Sequence, residues 1–313
     1  MRVTALAGGV GAGKFLRGLV RAVPAEDVTV IVNTGDDIVL HGLHVSPDVD
    51  PVTYWLAGVA DRERGWGMAG ETFRAAEKLR ELGAPGSWFN LGDLDLATHL
   101  FRTDLLALGM SLSEVTQRIT ERFGVRSLVL PMTDDPVTTR VQAVDESGSS
   151  LDLHFQEYWV QRGAQDEVQS IRYEGAEQAA PSRGVIPAIE EADVVVICPS
   201  NPVASIGPIL AIPGVRAAVA ERDERVVGVS PIVGGAPLRG MADKLLPVVG
   251  VDVDAAAVAT YYDGLVHRWV IDRRDTDLLE RTAELVPVAG VFDTVMDTDS
   301  RAEALARYVL DLH

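Results

Sequence analysis

Short apolar runs alternate along the chain with stretches of helical periodicity. Val3 to Gly8, Val28 to Asn33, Ser127 to Pro131, Asp193 to Pro199, Arg225 to Pro231 and Arg268 to Asp272 read as buried strands. After the first of them, "KFLRGLVRAV" places Phe15, Leu16, Leu19, Val20 and Val23 on one helical face. Buried strands separated by helical patterns predict an α/β fold with a mainly parallel sheet and crossover helices. Three further helical patterns, "ETFRAAEKLRELG", "LATHLFRTDLLALG" and "LSEVTQRITERFG", each end in glycine. They predict a helical insertion over about residues 51–125. "TTRVQAVDESGSSLDLHFQEYWVQRG" alternates apolar and polar residues around "DESGSS", which predicts a small β-hairpin excursion within about 137–175. With no internal repeat or long linker, one unit over residues 1–313 accounts for the pattern.

Composition narrows the classes of function. The 313 residues carry 46 acidic against 28 basic side chains, a formal charge of -18. A field of that sign repels nucleic acid and anionic membranes. An anionic substrate therefore needs local help from backbone N–H groups, arginines or a metal. The opening "MRVTALAGG" is broken by glycine too soon for a signal peptide, and no run reaches the length of a membrane span. The single cysteine, Cys198, excludes an internal disulfide and fits a reducing cytoplasm. Three lysines stand against 25 arginines, the bias of a GC-rich genome.

Candidate chemistry gathers where strands end, which is where open parallel sheets bind ligands. "GGVGAGKF" has the glycine and lysine spacing of a P-loop, but Phe15 stands where a magnesium-binding hydroxyl is required. What survives is a strand, four glycines (Gly8, Gly9, Gly11, Gly13), Lys14 and a helix N-terminus, a combination suited to phosphate without triphosphate hydrolysis. Phe15 is expected in the core. "NTGDDIVLHGLHVSPDVD" brings Asp36, Asp37, Asp48 and Asp50 close in sequence, with Asn33 and His41 nearby. Such carboxylates are hard oxygen ligands for Mg²⁺ or Ca²⁺. Asn90, Asp93 and Asp95 precede a helix. Thr133 with Asp134 and Asp135 ends one strand, Ser200-Asn201 with Ser205 and Gly207 follows another, and Gly234-Gly235 with Arg239 follows a third. Five strand ends carrying such residues point to one edge of the sheet.

Together, "GGVGAGKFLRGL", "NTGDDIVLHGLHVSPDVD", "GDLDLATH", "LPMTDDPVTT", "SNPVASIGPIL" and "VSPIVGGAPLRG" resemble the 2-phospho-L-lactate transferases of coenzyme F420 biosynthesis. The resemblance implies a Rossmann-like fold, Mg²⁺, a cytoplasmic enzyme and often a homodimer. It implies transfer of a phosphoenolpyruvyl or 2-phospholactyl group from its guanosine diphosphate ester to the terminal hydroxyl of the deazaflavin chromophore FO, with release of GMP. On this reading Asp37 and Asp50 hold the metal, and the first-loop glycines and Lys14 hold phosphate. Thr133 belongs to the ligand-facing set. The Ser200 to Gly207 stretch and Gly234-Gly235 hold guanosine, and Asn90 and Asp93 face the chromophore. Some relatives have arginine where this chain has Leu94, so a chromophore contact there does not carry over. The arginine bias points to the phosphoenolpyruvate route. The alternative is a nucleotide-sugar-binding regulatory protein of the same superfamily, whose acidic loop continues differently. An NAD-dependent dehydrogenase is disfavoured by the missing dinucleotide fingerprint and by the lack of a ribose-binding acid at the usual spacing after it.

Overall fold

The computed structural model describes residues 1–312. Its strands, in chain order, are β1 (Val3–Ala7), β2 (Val28–Val32), β3 (Ile38–Leu40), β4 (Leu43–Val45), β5 (Leu128–Pro131), β6 (Thr138–Val144), β7 (Ser150–His154), β8 (Glu167–Glu174), β9 (Val194–Ile197), β10 (Val226–Val229), β11 (Ile232–Val233), β12 (Ala236–Pro237), β13 (Arg268–Asp272) and β14 (Val288–Phe292). Seven form one sheet in the order β14-β13-β10-β9-β1-β2-β5, and every pairing in it is parallel. The predicted α/β architecture is the observed one.

The central strands are covered on both faces, which is why they read as unbroken apolar runs. Alternate residues serve opposite layers. Leu6, Ile31, Val195 and Ile197 enter one core, whereas Ala5, Ala7, Val30, Val32 and Val196 enter the other. The second core is capped by helix α1 (Gly9–Ala22) and the C-terminal helix Asp299–Asp311, through Phe15, Leu16, Leu19, Leu305 and Val309. Phe15 has no exposed surface. It is the core residue its position predicted.

Between β2 and β5 lie the β3–β4 hairpin and four helices: α2 (Val49–Ala57), α3 (Arg74–Glu81), α4 (Asp93–Ala107) and α5 (Leu112–Arg122). Helix α5 opens on a capping box, with Ser111 and Glu114 satisfying each other's backbone N–H groups. The β excursion is a three-stranded antiparallel sheet, β7-β6-β8, rather than a lone hairpin. A lone hairpin is marginal in water, and the third strand gives β6 a partner on each side. No helix among the described residues is long and apolar enough to cross a membrane.

Strand order changes direction at β1. From it, β2 and β5 extend to one side, and β9, β10, β13 and β14 to the other. The loops after β1 and β9 therefore diverge at the C-terminal edge of the sheet, the position at which open α/β folds bind ligands.

Candidate active site

The glycine run after β1 is not a loop. Helix α1 starts at Gly9, with Gly8 in extended conformation as its N-cap. Periodicity alone places the helix start at Lys14. The glycines are there for close packing. A Cβ on Gly11 would overlap the Pro199 carbonyl oxygen, and one on Gly13 would overlap the Trp55 indole. A Cβ on Gly8 would run into Asp48 and Ser205. Ser200 borders the site from the β9 side: its hydroxyl donates to the Gly8 carbonyl (2.9 Å) and accepts from the Gly8 N–H (3.3 Å). Asn201 caps the turn Pro202–Ile206 by accepting from the Val203 and Ala204 N–H groups at 3.0 and 3.1 Å.

The first anion at the N-terminus of α1 is supplied by the chain itself. Asp48 takes hydrogen bonds from Asn33 (2.8 Å), from Ser205 and from the Gly9 N–H. Helix N-termini favour such a charge. Asn33 is fully used, since it also donates to the Ala204 carbonyl (3.2 Å) and accepts from the Gly35 N–H (2.8 Å). One amide thus ties the end of β2 to the start of α2 and to the stretch after β9.

Four aspartates converge behind this knot. Asp36, Asp48 and Asp50 are buried and Asp37 nearly so. Burial raises Asp48 to about 7, with the Asp37 charge adding to it and Asn33 opposing. Burial likewise pushes Asp36 well above the ordinary carboxylate range, with the charges of Asp48 and Asp37 acting in the same direction. Asp36 accepts from Gln156 (3.1 Å). Asp37 accepts from His44 and Ser46, both at 2.8 Å, and its backbone carbonyl meets His154 Nε2 at 3.1 Å. Burial holds the His154 imidazole below its usual range. Asp36 Oδ1 and Asp37 Oδ1 are buried without a partner. Buried carboxylate oxygens left bare are costly. Each is a hard oxygen donor of the kind a divalent cation takes.

Asp50 is placed differently. Both its oxygens are held by Arg102 of α4, one through the guanidinium Nη1 at 3.1 Å and the other through Nη2. Arg102 has no exposed surface. Burial works against its charge, but Asp50 more than offsets this and keeps the guanidinium firmly protonated. Arg102 also donates to the His44 carbonyl (3.3 Å) and lies 3.2 Å from His99 Nδ1. Asp95 joins the network by accepting from the Tyr54 hydroxyl (2.6 Å), and its carboxylate lies 3.4 Å from His99 Nε2. Asp50, Asp95 and His99 have metal-ligand proximity, each offering an atom within 4.8 Å of the others. The Arg102 charge already occupies the electrostatic role of a cation there. For Asp50 to join Asp37 on a metal, as the sequence reading has it, the Arg102 pair would have to open.

The remaining expected site residues divide. Lys14 is half-buried with Nζ 5.9 Å from the Trp55 ring centroid, and burial and the Arg239 charge lower its pKa. Gly234 and Gly235, with φ of 62° and 79°, form the two-residue turn between β11 and β12. The Gly234 N–H donates to Asp275 (2.9 Å). Gly207 lies under the Tyr173 and Tyr261 hydroxyls. Thr133 donates to the Ala180 carbonyl (2.6 Å) and fastens a strand end. Asn90 accepts from Arg80 (2.8 Å). Asp93 accepts from the Thr72 hydroxyl and from the Arg74 and Ala75 N–H groups, so its carboxylate caps α3. The site therefore gathers Gly8, Gly9, Ser200, Asn201 and Ser205 with the acidic cluster, while Asn90, Asp93 and Thr133 are engaged in local structure.

Tyr54, Arg102, His154 and Gln156 are not singled out by the sequence reading. Arg102 has a readable signal: Asp95, Thr98, His99 and Arg102 place four polar side chains on one face of a helix otherwise rich in leucine. His154 and Gln156 arrive from the β excursion, more than a hundred residues from Asp36 in the chain, and no local pattern announces them.

The family described as 2-phospho-L-lactate transferase CofD matches residues 3–310. A protein of Streptomyces griseus named phosphoenolpyruvate transferase is 51% identical, covering 100% of this chain and 98% of the relative. One of Thermobifida fusca with the same name is 46% identical over the same shares. Among solved structures, a UPF0052 family member from Bacillus halodurans superposes with a TM-score of 0.62 at 18% identity, covering 99% of this chain and 98% of that one, which speaks to the fold. By its match along almost the whole length, the chain belongs to the 2-phospho-L-lactate transferase family.

Proposed function

We propose that this chain transfers a phosphoenolpyruvyl group from its guanosine diphosphate ester to the terminal hydroxyl of FO in coenzyme F420 biosynthesis, releasing GMP. The observation that carries the reading is the site at the strand-order reversal. It joins a helix N-terminus, a Ser/Asn lip and a buried acidic cluster in a chain whose relatives are named phosphoenolpyruvate transferase. The choice of phosphoenolpyruvyl over 2-phospholactyl follows the names of those relatives and the arginine-rich composition.

Attack of an alcohol on a diphosphate needs charge neutralisation and in-line placement more than covalent help. Asp37, with its bare oxygen, and the neighbouring Asp36 would hold Mg²⁺, joined by Asp50 if its arginine pair opens. A bound Mg²⁺ supplies charge neutralisation at the diphosphate. The partly exposed first turn of α1 offers the backbone N–H groups of Val10 and Gly11 to phosphate, and Lys14 adds a cation. The Ser200 to Gly207 stretch and the Gly234-Gly235 turn take the guanosine side. His44 and Ser46 fix the Asp37 carboxylate, and Gln156 fixes Asp36.

Ligand binding tests this reading against that of a nucleotide-sugar-binding regulator. Thermal shift with GDP against UDP-sugars should favour GDP, and titration with FO should perturb its absorbance. Stabilisation by UDP-sugars alone, with no response to FO, overturns it.

A further inference from the structure

Asp37 is fastened at its backbone and at one carboxylate oxygen, and its other oxygen is free. The Asp37 N–H donates to the Thr34 carbonyl (3.2 Å), and its own carbonyl meets His154 Nε2 (3.1 Å). Asp37 Oδ2 faces His44 Nε2 and the Ser46 hydroxyl, each at 2.8 Å. Asp37 Oδ1 is buried with no partner, on a side chain only 10% exposed. His44 and Ser46 reach the same oxygen because they stand two residues apart at the end of β4, on one face of the strand. The backbone that carries the imidazole is itself fixed to α4. Its N–H donates to the Thr103 hydroxyl (2.8 Å), and its carbonyl accepts from Arg102 (3.3 Å). Ser46 has no exposed surface.

We propose that His44 and Ser46 set the metal preference of the site: by occupying Oδ2 they confine Asp37 to coordination through one oxygen, which selects Mg²⁺ over Ca²⁺. The inference rests on the reading above that Asp37 holds a divalent cation. A ligating carboxylate is ionised and only accepts, so the His44 ring proton stands on Nε2 and both groups at Oδ2 are donors. Two donors engage the lone pairs of that oxygen, and Oδ1 alone is left for a metal. Ca²⁺ gathers many oxygens in a flexible shell and commonly takes both oxygens of one carboxylate. Mg²⁺ demands near-octahedral geometry, binds through one or two carboxylates and keeps several waters. A carboxylate fixed at its backbone and at one oxygen meets the demand of Mg²⁺ and fails that of Ca²⁺. The neighbouring acids do not make up the shortfall. Both Asp50 oxygens are held by Arg102, and Asp48 is engaged by Asn33, Ser205 and the Gly9 N–H. One Asp36 oxygen accepts from Gln156. His44 and Ser46 are thus positioning residues whose effect falls on the choice of ion.

The test uses the full chain, freed of metal with EDTA and dialysed, and Mn²⁺ as the probe. Electron paramagnetic resonance reads free Mn²⁺, and competition by Mg²⁺ and by Ca²⁺ gives the ratio of their affinities. Mg²⁺ should displace Mn²⁺ from wild type at a lower concentration than Ca²⁺ does. His44→Leu frees part of Oδ2 and should move the ratio about tenfold toward Ca²⁺, the lower end of what hydrogen-bond partners of ligands do to metal affinity. His44→Gln keeps an N–H donor near the position of Nε2 and should restore the wild-type ratio. Ser46→Ala should move the ratio in the same direction as His44→Leu, and it decides the matter if His44→Leu fails to fold. A wild type that prefers Ca²⁺, or a ratio unmoved in both His44→Leu and Ser46→Ala, overturns the inference and leaves the metal at Asp37 standing. So does a His44→Gln protein shifted as far as His44→Leu. No Mn²⁺ binding, or binding that Asp37→Asn leaves unchanged, overturns the metal reading beneath the inference and the inference with it.

Discussion

Asp50→Asn is the most informative single substitution in the molecule. It preserves shape and removes one charge from a pair in which Arg102 is wholly buried. Removing one partner of a buried ion pair costs about 3–5 kcal/mol, because the other charge is left uncompensated. In a chain of this size that is roughly 2 °C per kcal/mol, so Tm should fall by about 6–10 °C. The support of Asp37 loosens too, since Arg102 also holds the His44 carbonyl while His44 holds Asp37. Turnover should therefore be lost together with stability. The assay is urea and thermal unfolding in EDTA, which removes any contribution of a bound metal. Replacing both partners by apolar residues, Asp50→Leu with Arg102→Met, should recover most of the stability, as such replacements are often neutral or better. An Asp50→Asn protein within about 1 kcal/mol of wild type in EDTA, or a double variant as unstable as the sum of its singles, would refute the ion-pair reasoning.

Other consequences follow from the same geometry. Asp37→Asn should abolish turnover with only a small change in unfolding, and EDTA should do the same to wild type; full rates in either case would contradict a cation held at Asp37. Gly11→Ala should destabilise by about 1–3 kcal/mol in urea titration, because the group it meets is the Pro199 backbone and cannot rotate away. Phe15→Ser, which restores a P-loop-like hydroxyl, should cost about 3–5 kcal/mol and give no GTP hydrolysis without acceptor, since position 15 points into the core. Steady hydrolysis by that variant would show that the first turn works as a P-loop after all.

The sheet was legible because strands buried on both faces must be apolar throughout. Val194–Ile197 is the clearest instance, with all four residues buried. Strand β14 was missed: it holds Gly290 and is only partly buried along most of its length. The start of α1 was missed for a tertiary reason. Glycine disfavours helix locally, but here Gly11 and Gly13 let α1 touch Pro199 and Trp55, and packing overrides propensity. The site was readable as a set of strand ends, and Gly8 does meet Ser200, Ser205 and Asp48 there. What could not be read was the division of labour among acids. Asp93 and Asp134 resemble Asp37 in sequence, yet Asp93 caps α3 and Asp134 binds the Ser113 N–H and hydroxyl. The partners that decide this lie about twenty residues away in each case, beyond any local pattern.

The most direct test of the transferase assignment is the mass of the product formed from FO and each guanosine diphosphate ester in the presence of Mg²⁺. The account predicts FO carrying a phosphoenolpyruvyl group, with GMP released in equal amount, as the efficient outcome. A product heavier by two hydrogens as the only efficient one would shift the donor to 2-phospholactate, a contrast that pockets read weakly. FO recovered unchanged with both donors, from folded protein that binds GDP, would contradict the account.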